Sequence, residues 1–377
     1  MRKRYPKGSL PFFLVLLVVF AIASCKKDSK TVMPTTKTLP VVPPTATPTK
    51  IGLYEVDSSI YKLLYMNVSQ IGNQTVNDAL VFDTGSGGMV IDAEGIVPKS
   101  MITSTGFKFT GDSVVVNGIT IMADTSTVTY GDDDSTITKA HGNLAYANVT
   151  LGDDNGNIVI KRLPFFLYYK GEDAKGNTLA SHYFDVIGVD DEYDLTFANH
   201  VNLTSPLTFY DPGNGLTRGF KMAALGTSNF SLTGNYVPDV VTLGLTPADL
   251  SSSGFVMNQL YQYPGEGYPP IFPATFTYNN SNVSTQVLFD TGTEPYSYIE
   301  DPKAKVDIAQ LPDNTKVSVS LRSGFAYQFT TTATENLTYI ENPNTTGAQI
   351  SILSLEFFLN NEYLLDYTDH KLGLKNN

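Results

Sequence analysis

The sequence is poor in residues that form cross-links or soft metal sites. Its 377 residues include one cysteine, Cys25, four histidines and no tryptophan. A single cysteine excludes internal disulfides and zinc sites built from several thiolates. No two histidines have metal-ligand spacing, and there is neither a Gly-x-Ser-x-Gly sequence nor a phosphate-binding loop. The residues therefore do not support a metalloenzyme, a serine hydrolase or a nucleotide-binding protein, and we expect no metal and no cofactor.

Positive charge is also scarce beyond the N-terminus. Residues 1–50 hold nine of the 25 basic residues and one of the 37 acidic residues. The remainder therefore has 16 basic and 36 acidic residues, which is a net charge of −20. A domain this acidic repels nucleic acids and anionic membrane surfaces, so we expect no nucleic-acid partner. Such a charge favours solubility and does not by itself indicate a substrate.

Residues 1–24 have the pattern of a secretory signal peptide. A basic start precedes an almost wholly apolar segment, residues 10–23, which is short for a membrane span. The small residues before Cys25 resemble the end of a bacterial lipoprotein signal. This resemblance implies a lipid-anchored protein of the cell envelope, and Lys26 favours the outer membrane of a Gram-negative bacterium. The alternative is an ordinary cleaved signal with an incidental cysteine.

Residues 25–50 are rich in threonine, proline and lysine, and they contain few apolar residues. This composition predicts an extended tether between the anchor and a folded domain. The 42% apolar content of the whole chain is enough for two packed lobes, which we place at residues 51–205 and 206–377.

Two copies of one motif organise the folded part. Each is a short apolar run followed by Asp-Thr-Gly and a hydroxyl residue, at residues 80–86 and 287–293. A short run of this composition, closed by glycine, predicts a buried strand that leaves the core at the aspartate. Asp83 and Asp290 are 207 residues apart, so each half of the chain has one copy.

The chemistry of the motif follows from its residue types. Ser86 and Thr293 each place a hydroxyl where it can hydrogen-bond the carboxylate and lower its pKa. If the halves pack about a two-fold axis, Asp83 and Asp290 meet, and two carboxylates in contact share one proton. Such a pair can act as base and acid at once, because one carboxylate takes a proton from water while the other donates to a carbonyl oxygen.

These paired segments resemble those of the pepsin-like aspartic peptidases. The resemblance covers roughly residues 58–374. It implies an all-β, bilobal acid-protease fold, in which two β-barrel-like lobes are related by a pseudo-two-fold axis and a cleft lies between them. It also implies catalysis by Asp83 and Asp290. The supporting residues are Thr84, Gly85, Ser86, Thr291, Gly292 and Thr293, and the two threonines are expected to lock the two loops together.

The resemblance also implies a flap, a hairpin whose Tyr-Gly tip folds over the substrate. Tyr130 and Gly131, 47 residues after Asp83, occupy a fitting position. An ordinary hairpin tyrosine is the alternative. Many relatives support the flap tyrosine with a tryptophan just after the first motif, so a chain without tryptophan must support it differently. The acidic residues 132–134 replace the usual small residues of the tip.

Three further positions bear on the resemblance. Gly188 fits the glycine of the segment that crosses beneath the first aspartate loop. Ser354 stands where the corresponding glycine of the second half is expected. Glu294 follows the second motif, where it either raises the pKa of the aspartate pair by repulsion or points into solvent.

The leading hypothesis is thus a lipid-anchored, monomeric aspartic endopeptidase that acts on peptides or proteins. The main alternative keeps the fold without the chemistry, as a catalytically silent surface lipoprotein that binds peptide, protein or glycan. A third possibility is a structural β-rich lipoprotein in which the motifs are accidental. The internal repeat makes that possibility the weakest.

Overall fold

A computed structural model describes residues 45–58, 60–109, 111–131, 137–193 and 195–377. The predicted signal peptide, Cys25 and the tether up to residue 44 lie outside these described residues, as do the acidic residues 132–134. Within the described ranges, no helix has the length and apolar character needed to cross a membrane.

Strands dominate the described part of the first half of the chain. They are β1 (Thr49–Ser58), β2 (Tyr61–Ile71), β3 (Gln74–Asp83), β4 (Gly87–Asp92), β5 (Ile102–Thr103), β6 (Gly106–Phe107), β7 (Ser113–Val116), β8 (Ile119–Tyr130), β9 (Thr138–Asp153), β10 (Gly156–Glu172), β11 (Val186–Val189), β12 (Leu195–Thr196) and β13 (Asn202–Leu203). A short 3-10 helix lies at Lys99–Met101.

The second half continues in the same way. Its strands are β14 (Thr217–Met222), β15 (Asn235–Leu245), β16 (Val256–Gln259), β17 (Phe272–Tyr278), β18 (Ser281–Phe289), β19 (Ser297–Glu300), β20 (Ile308–Gln310), β21 (Lys316–Leu321), β22 (Ala326–Thr330), β23 (Thr338–Glu341), β24 (Ile350–Leu353), β25 (Asn361–Asp366) and β26 (Lys371–Asn376). Short helices are α1 (Pro247–Ser251), α2 (Pro343–Thr346) and 3-10 turns at Pro206–Phe209, Thr227–Asn229 and Leu355–Leu359.

The strands form two principal sheets. The larger has 14 strands in the order β16-β26-β25-β14-β15-β1-β2-β3-β11-β4-β10-β9-β8-β7, and β2 also pairs with β9. The smaller has eight strands, β20-β23-β19-β24-β18-β17-β21-β22. The architecture is therefore all-β and bilobal, as the sequence predicts. Five strands of the second half join the first half in one sheet through the β1–β15 pair, namely β14, β15, β16, β25 and β26.

Alternating burial explains why these segments form strands. Along β2, the even-numbered side chains from Lys62 to Val68 are buried, while most of their neighbours are partly exposed. This period of two is that of a strand with one face against a core. β1 begins at Thr49, within the segment predicted as tether, and the Ala46 N–H donates to the Asn214 carbonyl at 2.8 Å.

The two motifs sit in matching local structures. β3 pairs in parallel with β11, and β18 pairs in parallel with β24. In each case the second strand also pairs antiparallel with the strand that follows the motif, which is β4 in the first half and β19 in the second. The core has the same repeat, because Phe82 and Phe289, directly before the two aspartates, are both buried. Each Asp-Thr-Gly segment thus leaves a buried strand at the same point of a three-strand unit.

Candidate active site

The first candidate carboxylate, Asp83, is the last residue of β3. Its side chain is buried. Oδ1 accepts a hydrogen bond from the Gly85 N–H at 2.8 Å, and Oδ2 accepts one from Ser86 Oγ at 2.5 Å. The Asp190 N–H in turn donates to the Ser86 carbonyl at 2.9 Å. The carboxylate is therefore fixed by its own loop, and that loop is fixed by the segment that follows β11.

The second candidate carboxylate, Asp290, repeats this arrangement. It directly follows β18 and is fully buried. The Gly292 N–H donates to Oδ1 at 2.7 Å, and Thr293 Oγ1 donates to Oδ2 at 2.5 Å. The Asp290 N–H donates to the Leu353 carbonyl at 2.9 Å. Serine in one loop and threonine in the other supply the same donor, as their positions in the two motifs predict.

The two threonines tie the loops together across the pseudo-two-fold axis. The Thr84 N–H donates to Thr291 Oγ1, and the Thr291 N–H donates to Thr84 Oγ1, both at 3.0 Å. Each hydroxyl then donates to a carbonyl of the opposite half, Thr84 to Phe289 at 2.9 Å and Thr291 to Phe82 at 2.7 Å. These four reciprocal bonds are buried, so they hold the loops in one relative position.

The loops are close enough for each glycine to touch the opposite carboxyl group. A Cβ at Gly85 would lie 2.4 Å from the Asp290 Cγ, and a Cβ at Gly292 would lie 2.6 Å from the Asp83 Oδ1. No side chain fits in either place, which explains the need for glycine in both motifs. The Asp83 and Asp290 carboxyl groups are themselves hydrogen-bonded to each other.

The hydrogen bond between the two carboxyl groups moves their pKa values in opposite directions. Burial raises the pKa of Asp83 well above its ordinary value, and the adjacent Asp290 carboxylate raises it further. Burial also opposes ionisation of Asp290, while hydrogen bonds from Asp83, Thr293 and Gly292 favour its charged form. The pair therefore holds one proton, which the two carboxyl groups share.

The segments that cross beneath the two loops differ in one residue. Gly188 on β11 lies opposite Asp83 in the sheet, and a Cβ there would lie 2.6 Å from Ser86. Ser354 occupies the corresponding place after β24 and is fully buried. Its hydroxyl bonds the Ser297 hydroxyl at 3.2 Å, and its N–H donates to Ser297 Oγ at 3.1 Å. The extra side chain is therefore hydrogen-bonded within the second half.

The predicted flap residues lie at the end of β8. Tyr130 is its last residue, paired with Thr138 on β9, and Gly131 follows with φ of 103°. The Tyr130 ring stacks on Phe184, with ring centroids 5.5 Å apart and an interplanar angle of 23°. Phe184 directly precedes the segment that leads into β11. The sequence did not identify Phe184 as a partner of Tyr130.

Glu294 does not point into solvent. It lies beside Lys62 of β2, whose N–H approaches Glu294 Oε2 at 3.4 Å, and Glu294 Oε1 is buried. The Lys62 Nζ donates to Glu356 Oε1 at 2.5 Å. Burial raises the pKa of Glu294 to about 9, and the Glu356 carboxylate adds to the rise. Neither Lys62 nor Glu356 was identified from the sequence. The available signal was Glu356 itself, the single charged residue in the apolar run 350–359.

Among the described residues, no group of three or more acidic, histidine or cysteine side chains is placed to hold a metal ion. The donor atoms around Asp83 and Asp290 are backbone N–H groups and hydroxyls. These groups stabilise a carboxylate and do not complete a cation-binding shell of oxygens. The arrangement is suited to proton transfer between two carboxyl groups and a small molecule held between them.

A solved structure shares this architecture. The crystal structure of an aspartic proteinase from Irpex lacteus matches with a TM-score of 0.53 and 16% sequence identity, over 88% of this chain and 97% of that one. The chain has a pepsin-like fold. At this identity the match shows the fold alone, and the pepsin-like arrangement agrees with the paired loops described above. No protein-family model and no curated protein sequence matches the chain.

Proposed function

We propose that this protein is an aspartic endopeptidase in which Asp83 and Asp290 activate a water molecule. The observation that carries the proposal is the pair itself. Two buried carboxyl groups from opposite halves share a hydrogen bond, and each is held by its own hydroxyl and backbone N–H. A pair that shares one proton can supply a base and an acid in the same step.

In the proposed reaction the shared proton starts on Asp83. The ionised Asp290 takes a proton from water as the water oxygen attacks the peptide carbonyl carbon. Asp83 gives its proton to the carbonyl oxygen, and a neutral tetrahedral diol forms. In the second step the C–N bond breaks, the amine nitrogen receives a proton from Asp290, and a diol hydroxyl returns its proton to Asp83. Every proton is accounted for within the pair, so the chemistry needs neither a metal nor a cofactor.

The surrounding loops support this role by preorganisation. The reciprocal threonine bonds fix the distance between the carboxyl groups before a substrate binds. Fixed dipoles at the reacting atoms cost no reorganisation during the reaction, which is the main source of electrostatic catalysis. The proposal assigns Tyr130 and Gly131 to the flap that covers the substrate, and it assigns a peptide or protein as the substrate.

The second candidate function is a binding protein with a silent cleft. Glu294 and Ser354 are the departures that favour it. However, Glu294 is turned towards Lys62, and Ser354 is hydrogen-bonded to Ser297, so neither contact disrupts the bonds around the carboxyl pair. The binding of an inhibitor directed at the carboxyl pair distinguishes the two functions. An active peptidase should bind a transition-state analogue tightly, because it stabilises the transition state, whereas a silent cleft should not.

The test uses the purified full-length protein in detergent, with a random peptide library at pH 3 to 7. We expect cleavage that pepstatin inhibits. Asp83→Asn and Asp290→Asn should each lower kcat/KM by about 100- to 10,000-fold, since each removes an acid–base group. Asp313→Asn, at an exposed position, is the matched control. Undiminished cleavage in the double Asp83→Asn, Asp290→Asn variant would remove this mechanism.

We further propose that the protein is attached to the cell envelope through a lipid on Cys25, as a monomer facing away from the cytoplasm, and that the membrane is the outer membrane. The support is the N-terminal sequence alone, because Cys25 lies outside the described residues. Metabolic labelling with a radioactive fatty acid tests the modification. Label in the wild type that is lost in Cys25→Ala supports it, and equal labelling of both contradicts it.

A further inference from the structure

The support of the flap tyrosine is a cluster of aromatic rings. Tyr130 stacks on Phe184 with an interplanar angle of 23°. The Phe184 ring is buried, and two other tyrosines pack edge-on against it, Tyr168 with centroids 5.8 Å apart and Tyr183 with centroids 5.0 Å apart. Phe184 is therefore fixed from several sides, while Tyr130 is only partly buried.

Local hydrogen bonds also fix the backbone that carries Phe184. The Phe184 N–H donates to the Tyr168 hydroxyl at 3.3 Å, and that hydroxyl donates to Asp185 Oδ1 at 3.1 Å. His182 Nδ1 bonds the other oxygen of Asp185 at 2.6 Å. Gly171 leaves room for the ring, because a Cβ there would lie 2.6 Å from Phe184 Cε2. The ring thus rests in a place that neighbouring residues have prepared for it.

The Phe184 ring and the two tyrosines that pack on it, Tyr168 and Tyr183, form a platform that the chain connects to the first candidate catalytic loop. Phe184 lies two residues before β11, and Gly188 of β11 is paired with Asp83 of β3. Phe184 itself lies in a turn, so the four residues from Phe184 to Gly188 span at most about 13 Å of chain. Gly188 touches Ser86, whose hydroxyl bonds the Asp83 carboxylate. The short segment from Phe184 to Gly188 of β11 therefore joins the support of Tyr130 to the support of Asp83.

We propose that Phe184 is the positioning residue of the flap tyrosine, in the role for which this chain has no tryptophan. Phe184 holds Tyr130 at a fixed height above the strand that crosses beneath the Asp83 loop. It acts through Tyr130 and does not touch the reacting atoms. The inference rests on the proposed function, since it assigns a role in the same reaction. The contact itself is a property of the folded protein, and it can be tested whether or not peptides are cleaved.

The first experiment reads the position of the ring directly. Because the chain contains no tryptophan, Tyr130→Trp introduces a single tryptophan at the flap, which can be excited apart from the tyrosines. The variant is made in the full-length protein, alone and combined with Phe184→Leu or Phe184→Met. Met keeps most of the ring's volume, which guards against a variant that does not fold. Phe197→Leu is the matched control, because Phe197 is buried in the same hydrophobic cluster but packs on Phe166 and not on Phe184.

We expect Phe184→Leu and Phe184→Met to lower the steady-state anisotropy of the introduced tryptophan and to shift its emission to the red, and Phe197→Leu to change neither. Circular dichroism and urea unfolding of each variant show that the fold is kept. If the anisotropy is unchanged in both Phe184 variants, or falls equally with Phe197→Leu, the platform is refuted. This outcome does not depend on any peptide being cleaved.

The second experiment reads the consequence for activity. A stacked aromatic pair contributes a factor of about 2 to 10 to an equilibrium, so Phe184→Leu should lower kcat/KM by that factor. In the Tyr130→Ala background the same substitution should have no further effect, since Phe184 acts through Tyr130. Equal losses in both backgrounds contradict the proposal. A wild-type protein that cleaves nothing contradicts the proposed function but leaves the fluorescence result standing.

Discussion

Glu55 is a buried carboxyl group whose ionisation should control stability near neutral pH. It lies on β1 between Leu64 of β2 and Asn235 of β15, and it is fully buried. Neither of its carboxyl oxygens has a hydrogen-bond partner among the described residues. Burial raises the pKa of Glu55 to about 7, from 4.5. The folded protein therefore keeps this group neutral at pH values where the unfolded chain ionises it.

The size of the effect follows from the shift. A rise from 4.5 to about 7 corresponds to about 3 kcal/mol of unfolding free energy, because one pKa unit is worth about 1.4 kcal/mol. Since the folded pKa is the higher one, this stability is fully present below pH 4.5. It is lost as the pH rises through 7. The reason is that ionisation of Glu55 stabilises the unfolded chain above pH 4.5, whereas the buried group stays protonated in the folded protein up to about pH 7.

Glu55→Gln is the perturbation that isolates this contribution. The amide has nearly the shape of the acid and does not ionise, so the variant should lose less stability than the wild type between pH 4 and 8, by about 3 kcal/mol. Urea unfolding at five pH values, followed by circular dichroism, measures the difference. Glu335→Gln, at an exposed carboxyl group, is the control. Parallel pH profiles for wild type and Glu55→Gln would refute the reasoning.

Three further predictions concern the candidate site. Thr291→Val removes a buried hydroxyl that makes two bonds, so the unfolding free energy should fall by about 2 to 4 kcal/mol in urea titrations, and an unchanged value contradicts the interlocking role. Ser86→Ala removes a bond that lowers the pKa of Asp83, so the alkaline limb of the kcat/KM profile should move to higher pH, and a move to lower pH contradicts this role. At pH 5, Lys62→Met should lower the unfolding free energy by about 3 to 5 kcal/mol, because Glu356 loses its partner. Glu294→Gln should leave the unfolding free energy nearly unchanged, because Glu294 is protonated at this pH. Equal losses in the two variants contradict a protonated Glu294.

The sequence predicted the repeated part of the fold because two copies of one motif constrain each other. An apolar run before Asp-Thr-Gly indicates a strand that leaves the core, and finding it in both halves indicates a two-fold arrangement. Gly188 was identified through the family resemblance, in which a glycine lets one segment cross closely beneath the first aspartate loop. Ser354 was correctly aligned with it, but the sequence did not show that Ser297 hydrogen-bonds the additional hydroxyl.

The contacts that the sequence did not predict join residues far apart in the chain. Lys62 and Glu356 are 294 residues apart, and nothing in either local pattern indicates their pairing. Glu294 was considered beside the aspartate pair, and its actual neighbours come from β2 and from the turn after β24. The Tyr130–Phe184 stack joins a hairpin to a crossing segment. Such contacts depend on how finished strands pack, which hydrophobic periodicity does not encode.

The buried acids outside the pair point to the same pH range as the pair does. Burial raises the pKa of Asp191 to about 6, although its bond to His370 opposes the rise, and it raises the pKa of Glu55 and Glu294 to about 7 and about 9. Each of these groups contributes stability that is lost as the pH rises through its folded pKa. In a chain with a net charge of −12, every proton bound also reduces repulsion between acidic residues. A shared proton on Asp83 and Asp290 is retained in acid for a separate reason, their contact with each other. The proposed activity and the stability of the fold should therefore decline together as the solution becomes alkaline, through different residues, and the Glu55→Gln variant separates the two by restoring stability without restoring the proton of the pair.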